Sequence, residues 1–260
     1  MLAYARSFGI MLKRQSMDRR STCVEAPSSK QATRLPIWKR VLDLAFILAI
    51  SPVLVILCAV IALSVRCGSR GPIFFLQRRV GLKGREFTCY KFRTMRVDAE
   101  ATPHRDHFRQ LMEREVPMTK LDARSDPRLV PLGSLIRTTG LDELPQVINI
   151  FRGEMSLVGP RPCIPYEFER YQPWQRRRFD AVPGLTGLWQ VSGKNRTTFN
   201  EMIRLDIEYS ERMSFWLDLK IILKTLPALW QQCLDSRALK RRQAASSPPG
   251  IVKSVGLYRL

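Results

Sequence analysis

Two adjacent carboxylates, Asp142 and Glu143, are the residues of this chain best suited to chemistry. They lie in a predicted helix that begins at Leu141, directly after Gly140. An aspartate can attack phosphorus and form an acyl phosphate. Its neighbour can hold a divalent cation, because side chains i and i+1 of a helix diverge by about 100°. Acidic residues also cap helices without any catalytic role, so the pair alone is weak evidence.

Several cations accompany this pair. Arg137 lies five residues before Asp142. The GPRP turn, residues 159–162, fixes Arg161 on a rigid loop, which suits bidentate recognition of phosphate. Lys194 follows the Gly-rich stretch Pro183–Val191, and together they could seat a diphosphate. Each turn taken alone is equally well explained as ordinary structure, and none matches a P-loop or a GxGxxG fingerprint.

The elements that must position these residues are short. A β-hairpin is predicted from Pro72–Val80 and Glu86–Met95, with Lys91 and Arg93 on one face of the second strand. Helices are predicted at Ala99–Glu115, Ser134–Thr138, Leu141–Arg152, Pro165–Phe179, Thr197–Arg212 and Phe215–Trp230. The last helix is amphipathic, and its apolar face fits a membrane surface or the protein core equally well.

Residues 41–65 form an apolar run with one charge, Asp43, and about 20 such residues suffice to cross a bilayer. The Ser51-Pro52 pair near the middle predicts a sharp bend. Basic residues flank both ends, so only a chain that enters and returns keeps all the positive charge on one side. We expect a re-entrant helix hinged at Ser51-Pro52, with a kinked single span as the alternative. Asp43 is spaced to pair with Lys39 or Arg40.

Composition limits the choice of partner. The 260 residues contain 43 Lys and Arg against 23 Asp and Glu, for a net charge of +20, yet 45% are hydrophobic. A disordered polycation is therefore excluded. Residues 1–40 contribute +7 and residues 236–260 contribute +6, and both ends are predicted to be flexible arms. This charge calls for an anionic partner, and the apolar run favours a membrane surface over nucleic acid.

Histidine and cysteine spacing gives no metal site. The six cysteines form no CxxC pair and are predicted to be reduced thiols. His104 and His107 have no third ligand at suitable spacing and are predicted to be surface residues.

The ordered motifs of the chain resemble those of the bacterial sugar transferase family, the monotopic polyprenyl-phosphate phosphoglycosyl transferases. The motifs are KRVLD, Ser-Pro within the apolar run, YKFRTM, DPR, LDELPQ, GEMSLVGPRP, PGLTGLWQVSG and FWLDLKI. The resemblance covers about Lys39 to Trp230. It implies an α+β fold in which a re-entrant N-terminal membrane helix joins a mostly helical cytoplasmic domain with a small β-hairpin and an interfacial amphipathic helix. The expected segments are a basic arm (1–36), the membrane helix (37–66), the catalytic domain (67–234) and a basic tail (235–260).

The resemblance also implies an activity. A sugar 1-phosphate would pass from a nucleotide diphosphate sugar, usually a UDP-sugar, to undecaprenyl phosphate at the cytoplasmic face of the inner membrane. This step initiates exopolysaccharide, capsule or O-antigen assembly. Asp142 matches the nucleophile that carries the phosphosugar, and Glu143 matches its dyad partner; both are expected to hold Mg²⁺. Lys91, Arg137 and Asp218 fall on positions that bind phosphate or shape the site, and Arg161 is added from its turn.

One departure from the family pattern affects the site. Lys194 stands where an arginine is frequent, and a compact ammonium cannot copy a bidentate guanidinium, although Arg196 is placed to compensate. Two alternatives remain: an inactive family member that assists assembly, motivated by Lys194 alone, and a basic membrane-anchored binding protein, motivated by the net charge of +20. The second leaves the carboxylate pair unexplained. No nucleic-acid partner is expected, and downstream glycosyltransferases or a second copy of the chain are candidate protein partners.

Overall fold

The computed structural model describes residues 35–95, 111–112, 117, 132–194 and 196–246, with side chains as far as residue 235. The predicted N-terminal arm before Leu35, the DPR motif and the histidine pair lie outside these residues, as does most of the helix predicted at Ala99–Glu115. The described residues form one compact unit of helices and small sheets, which agrees with the predicted mixed architecture.

The apolar run forms one helix, α1 (Ile37–Gly68), which is long and apolar enough to cross a membrane. The Ser51-Pro52 pair, at which a sharp bend is predicted, does not interrupt the helix, which continues through Pro52. Proline lacks the N–H that would bond to the carbonyl of Leu48, four residues earlier. Ser51 Oγ donates to that carbonyl at 2.8 Å instead. The serine therefore satisfies the carbonyl that the proline leaves without its backbone donor.

Both ends of α1 pack against the rest of the chain, whereas its middle is exposed. The buried positions of this fully described helix fall in two groups, Lys39, Asp43 and Ile47 near its start and Ile61 and Val65 near its end. Between them Val53 is 70% exposed and Ile56 is 67% exposed. The two ends of the apolar helix therefore meet the same unit, and its central turns stand away from it.

Polar contacts fix each end of α1. Asp43 Oδ1 accepts hydrogen bonds from Ser156 Oγ at 3.0 Å and from the Leu157 N–H at 2.9 Å. Asp43 and Lys39 attract each other electrostatically, as their spacing predicts, while the hydrogen bonds of Asp43 run to a distant segment. At the other end the Arg93 guanidinium donates to the carbonyls of Ser69 and Arg70, each at 2.9 Å.

The predicted β-hairpin is confirmed with shorter strands. Strands β1 (Phe74–Val80) and β2 (Glu86–Phe92) pair antiparallel, with Phe75 opposite Lys91. The short 3₁₀ helix Leu82–Gly84 connects them.

The segment that carries the carboxylate pair differs from the prediction of one α-helix. Helix α2 (Gly133–Thr139) ends at Gly140, whose φ of 75° is the left-handed conformation that glycine favours. A 3₁₀ helix, Leu141–Gln146, follows, and α3 (Val147–Arg152) begins only after it. Pro145 explains the change, because its ring clashes with the carbonyl four residues earlier in an α-helix. We call Leu141–Gln146 the dyad helix.

The remaining elements complete the unit. In chain order they are β3 (Ser156–Val158), α4 (Pro165–Glu169), the 3₁₀ helix Gln175–Asp180, β4 (Gly184–Thr186), α5 (Leu188–Val191), α6 (Phe199–Arg212) and α7 (Phe215–Ser246). Strands β3 and β4 pair in parallel.

Three predictions on these elements need correction. The helix predicted at Pro165–Phe179 is two short helices, because Pro173 interrupts it. The Gly-rich stretch Pro183–Val191, treated in the sequence as a run of turns, includes the short helix α5. The flexible tail predicted from residue 235 is helical as far as Ser246, since good helix formers continue past Trp230.

Candidate active site

The carboxylate pair lies between β2 and the GPRP turn. Glu143 Oε1 accepts a hydrogen bond from Lys91 Nζ at 3.0 Å and another from Arg161 Nη2 at 3.2 Å. The Lys91 and Glu143 side chains are 13% and 20% exposed, so water screens their interaction only weakly. Three residues predicted from separate motifs therefore meet at a single carboxylate oxygen.

The charge state of Glu143 follows from these neighbours. Burial raises the pKa of Glu143, but the positive charges of Lys91, Arg161 and Lys194 together hold it well below its ordinary value. The negative charge of Glu143 in turn raises the pKa of Arg161, with a smaller contribution from Asp142. Glu143 is thus a carboxylate at neutral pH, with its charge balanced by fixed cations.

Asn149 positions the strand that carries Lys91. This fully buried side chain on α3 accepts from the Tyr90 N–H at 3.2 Å and donates to the carbonyl of Thr88 at 2.7 Å. The two bonds imitate a strand partner and hold β2 against the helix that follows the dyad. No role was predicted for Asn149, although an asparagine on the apolar side of a helix is a signal of a buried polar contact.

Glycines allow the two loops of the site to approach each other. A Cβ on Gly184 would lie 2.0 Å from the Gly159 nitrogen, and one on Gly187 would lie 2.3 Å from the Gly159 oxygen. Both distances are far shorter than a van der Waals contact, and the atoms concerned belong to the backbone, which cannot move aside as a flexible side chain can. The glycines of the GPRP turn and of the Pro183–Val191 stretch therefore serve close backbone packing, which fixes the base of Arg161.

Arg79 is a further cation at the GPRP turn that sequence analysis did not identify. It donates to the carbonyl of Pro162 at 3.1 Å. Burial and the neighbouring positive charge of Arg161 lower the pKa of Arg79. Two guanidinium groups thus stand close together beside the dyad, an arrangement that favours an anionic ligand.

The other predicted residues are distributed around this centre. Asp142 is next to Glu143 on the dyad helix, and its charge acts on Arg161. Lys194 follows α5 and acts electrostatically on Glu143. Arg137 is in the last turn of α2, where its carbonyl accepts from the Gly140 N–H at 3.3 Å.

Asp218 has contacts of a different kind. It forms a buried ion pair with Lys39, and its other oxygen accepts from the Tyr209 hydroxyl at 2.7 Å. These contacts tie α7 to the start of α1, and both Asp218 oxygens have partners within the protein. Asp218 therefore holds the apolar helix, and the role in phosphate binding or in shaping the site that the resemblance implies stays a prediction.

Comparison with known proteins identifies the family of the chain. The sequence profile of the bacterial sugar transferase family matches residues 34–232. The chain belongs to the bacterial sugar transferase family. Relatives of the chain are named as transferases.

The sugar transferase is similar to proteins of several bacteria. It is 47% identical to the galactosyl transferase CpsE of Streptococcus agalactiae over 157 residues, and this match covers 60% of the chain and 34% of CpsE. It is 39% identical over 186 residues to the exopolysaccharide production protein ExoY of Sinorhizobium fredii, covering 68% of the chain and 82% of ExoY. It is 38% identical over 161 residues to the undecaprenyl-phosphate galactose phosphotransferase of Salmonella typhimurium, covering 60% of the chain and 33% of that relative.

The dyad of the transferase also fits the Mg²⁺ implied by the family. Mg²⁺ prefers carboxylate oxygens and commonly takes one or two of them, with substrate phosphates and water completing its shell. Asp142 and Glu143 are such donors, and the described residues contain no group of three or more acidic, His or Cys side chains that would form a complete cage. The donor set therefore fits a cation held partly by substrate.

Proposed function

We propose that this transferase moves a sugar 1-phosphate from a nucleotide diphosphate sugar, most simply a UDP-sugar, to undecaprenyl phosphate and so initiates assembly of an exopolysaccharide or related glycan. The observation that carries the proposal is the dyad itself, in which Glu143 is held by Lys91 and Arg161 beside Asp142. The names of the relatives support the lipid carrier and the exopolysaccharide.

Asp142 is the nucleophile in this scheme. Its carboxylate oxygen forms a bond to the β-phosphorus, and the bond from that phosphorus to the bridging oxygen breaks, so the nucleoside monophosphate leaves with the bonding electrons. An oxygen of undecaprenyl phosphate then attacks the same phosphorus and releases the Asp142 carboxylate. Glu143 is less suited to attack, because Lys91 and Arg161 already draw on the electron density of its Oε1.

The cations of the site make the attack of one anion on another feasible. Asn149 and the glycine packing hold the backbone that carries Lys91 and Arg161, and Glu143 holds their side chains, so the cations are in place before the diphosphate binds. Arg79 and Lys194 add positive charge around the same point. Mg²⁺ held by Asp142, Glu143 and the substrate phosphates would supply further charge neutralisation to the pyrophosphate.

We further propose that α1 enters and leaves the cytoplasmic leaflet of the inner membrane and holds the catalytic unit on the cytoplasmic face. A straight helix of this length spans about 48 Å, well beyond one bilayer core. Both ends of α1 nevertheless contact the same compact unit, which supports a re-entrant path.

An exposed apolar face on α7 supports the same placement. Trp216, Leu226 and Trp230 are 74%, 76% and 69% exposed, whereas Ile221 on the opposite face is buried. One face of α7 thus packs on the core while the other is suited to the lipid headgroup region.

The covalent step gives a direct test. The purified chain with Mg²⁺ and a panel of UDP-sugars should release UMP and gain the mass of one phosphosugar, and Asp142→Asn should abolish both. Asp180→Asn is the matched control, because Asp180 pairs with Lys83 at an exposed site. Full activity of Asp142→Asn, or the absence of any adduct and any UMP across the panel, would overturn the proposal.

A further inference from the structure

A second buried ion pair lies behind the GPRP turn, outside the residues that the mechanism uses. Arg178, on the 3₁₀ helix Gln175–Asp180, pairs with Asp206 on α6, and each is 1% exposed. Arg178 Nη1 also donates to the Tyr171 hydroxyl at 2.9 Å. Its Nη2 donates to the backbone carbonyl of Arg161 at 2.8 Å, which connects the ion pair to the candidate active site.

Stability alone is a poor explanation for this pair. Removing two charges from water costs free energy that their attraction often fails to recover, and well-packed apolar residues do as well or better. Within the described structure Arg178 Nε and Asp206 Oδ1 are also buried without a hydrogen-bond partner. Unsatisfied buried atoms of this kind destabilise the fold. The pair is therefore better explained by what Arg178 holds.

What Arg178 holds is the backbone of the residue whose side chain contacts the dyad. The Arg161 carbonyl is fixed by Arg178, and the Arg161 guanidinium lies 3.2 Å from Glu143 Oε1. Arg79 holds the next carbonyl, that of Pro162. Asp206 in turn orients Arg178 through a charge-assisted bond, so a chain of contacts runs from α6 to the catalytic carboxylates.

We propose that Arg178 and Asp206 form a positioning pair that sets the place of Arg161 relative to Glu143 and to the substrate diphosphate. This inference rests on the proposed function, because the effect is expressed through phosphate transfer. Neither residue touches substrate in this scheme. Their action reaches the reaction only through the Arg161 backbone.

A double-mutant cycle tests the pair. The paired substitution Arg178→Met with Asp206→Leu removes both charges together and so leaves neither one buried alone. It is made in the wild-type chain and in Arg161→Ala, and kcat/KM for the sugar nucleotide is measured from UMP release. We expect a loss of about tenfold or more in the wild-type background, since small displacements in a site have large kinetic effects. In the Arg161→Ala background we expect no further loss, because the residue being positioned is gone.

The neighbouring pair Arg177 and Glu211 is the matched control. Arg177 is adjacent to Arg178 and Glu211 is on the same helix as Asp206, but this pair is exposed, with side chains 61% and 51% accessible. Replacing both with alanine should leave kcat/KM unchanged. If the Arg178 and Asp206 double variant does not fold, Arg178→Lys takes its place in the same cycle, since it keeps the charge but not the planar fork.

The outcomes separate the two proposals. The positioning role would be overturned if the double variant lowered kcat/KM by the same factor in the Arg161→Ala background as in the wild-type background. It would also be overturned if the double variant left kcat/KM unchanged in the wild-type background. Either result would leave the proposed transferase activity intact. A wild-type chain that is inactive with every sugar nucleotide would overturn the proposed function, and this inference with it.

Discussion

Lys39 and Asp218 form a buried ion pair that joins the start of the apolar helix α1 to the first turn of α7. Their side chains are 0% and 1% exposed, and the Tyr209 hydroxyl contacts both, at 2.9 Å from Lys39 Nζ and 2.7 Å from Asp218 Oδ1. Asp43, one turn further along α1, bonds to the segment Ser156–Leu157 that leads to the GPRP turn. The helix that we place in the membrane is thus attached through polar contacts to the elements that carry the site.

Breaking this pair from one side should be costly. Asp218→Asn leaves the Lys39 charge buried without its counter-charge, and we expect the free energy of unfolding to fall by about 3–5 kcal/mol. Asp180→Asn in the exposed pair with Lys83 should change it by no more than about 1 kcal/mol. Thermal and denaturant unfolding of the detergent-solubilised chain measures both. A loss for Asp218→Asn no larger than that of the control would contradict the structural role.

The two ends of α1 should lie on the same side of the membrane. Ile37 at its start is 83% exposed, and Cys67 at its end is also exposed. In variants that carry a single cysteine at residue 37 or at residue 67, neither should react with an impermeant maleimide applied to intact cells. Both should react in inverted membrane vesicles, where the cytoplasmic face is accessible.

A cysteine engineered into a periplasmic loop of another membrane protein in the same cells provides the positive control for labelling. A spanning α1 gives a different pattern, because one of the two positions would then react in intact cells. That pattern would exclude the re-entrant path and leave the kinked span.

Local patterns in the sequence predicted several elements correctly. The features that could not be predicted depend on contacts between residues far apart in the chain. The hairpin and α6 were predicted from patterns among neighbouring residues, and the structure adds that the Thr198 side chain caps the start of α6. The partner of Lys39 is 179 residues away, so no spacing rule could pair it with Asp218. All three of Lys91, Glu143 and Arg161 were predicted as site residues, but their spacing in the sequence does not show that Lys91 and Arg161 meet at Glu143.

Gly184 should tolerate no side chain. A Cβ there would lie 2.0 Å from the Gly159 nitrogen and 2.4 Å from the Thr186 oxygen, both backbone atoms. Gly184→Ala should therefore force β3 and β4 apart and destabilise the fold by about 3 kcal/mol or more. UMP release should fall as well, because the base of Arg161 moves.

Gly153→Ala is the control for this substitution. Gly153 has a φ of 75° but nothing within 4 Å of the added Cβ. Alanine there should cost about 1 kcal/mol from backbone strain alone, with little effect on turnover. The unfolding midpoint and the rate of UMP release are measured for both variants. An equal loss of stability in Gly184→Ala and Gly153→Ala would show that close packing at Gly184 is unimportant.

Glu143 should make stability depend on pH in a defined direction. Its folded pKa lies well below the ordinary value, because burial is outweighed by the charges of Lys91, Arg161 and Lys194. The stabilisation by ionised Glu143 is therefore complete above the unfolded pKa of about 4.3, and it is lost as pH falls towards the folded pKa. Glu143→Gln lacks this contribution at every pH. The difference in unfolding midpoint between wild type and Glu143→Gln should stay constant from pH 7 to about pH 5 and narrow below that.

Glu211→Gln, at an exposed ion pair, should show little difference in unfolding midpoint from wild type across the same range. A gap between wild type and Glu143→Gln that widened on acidification would show that the cations do not stabilise the charged form of Glu143.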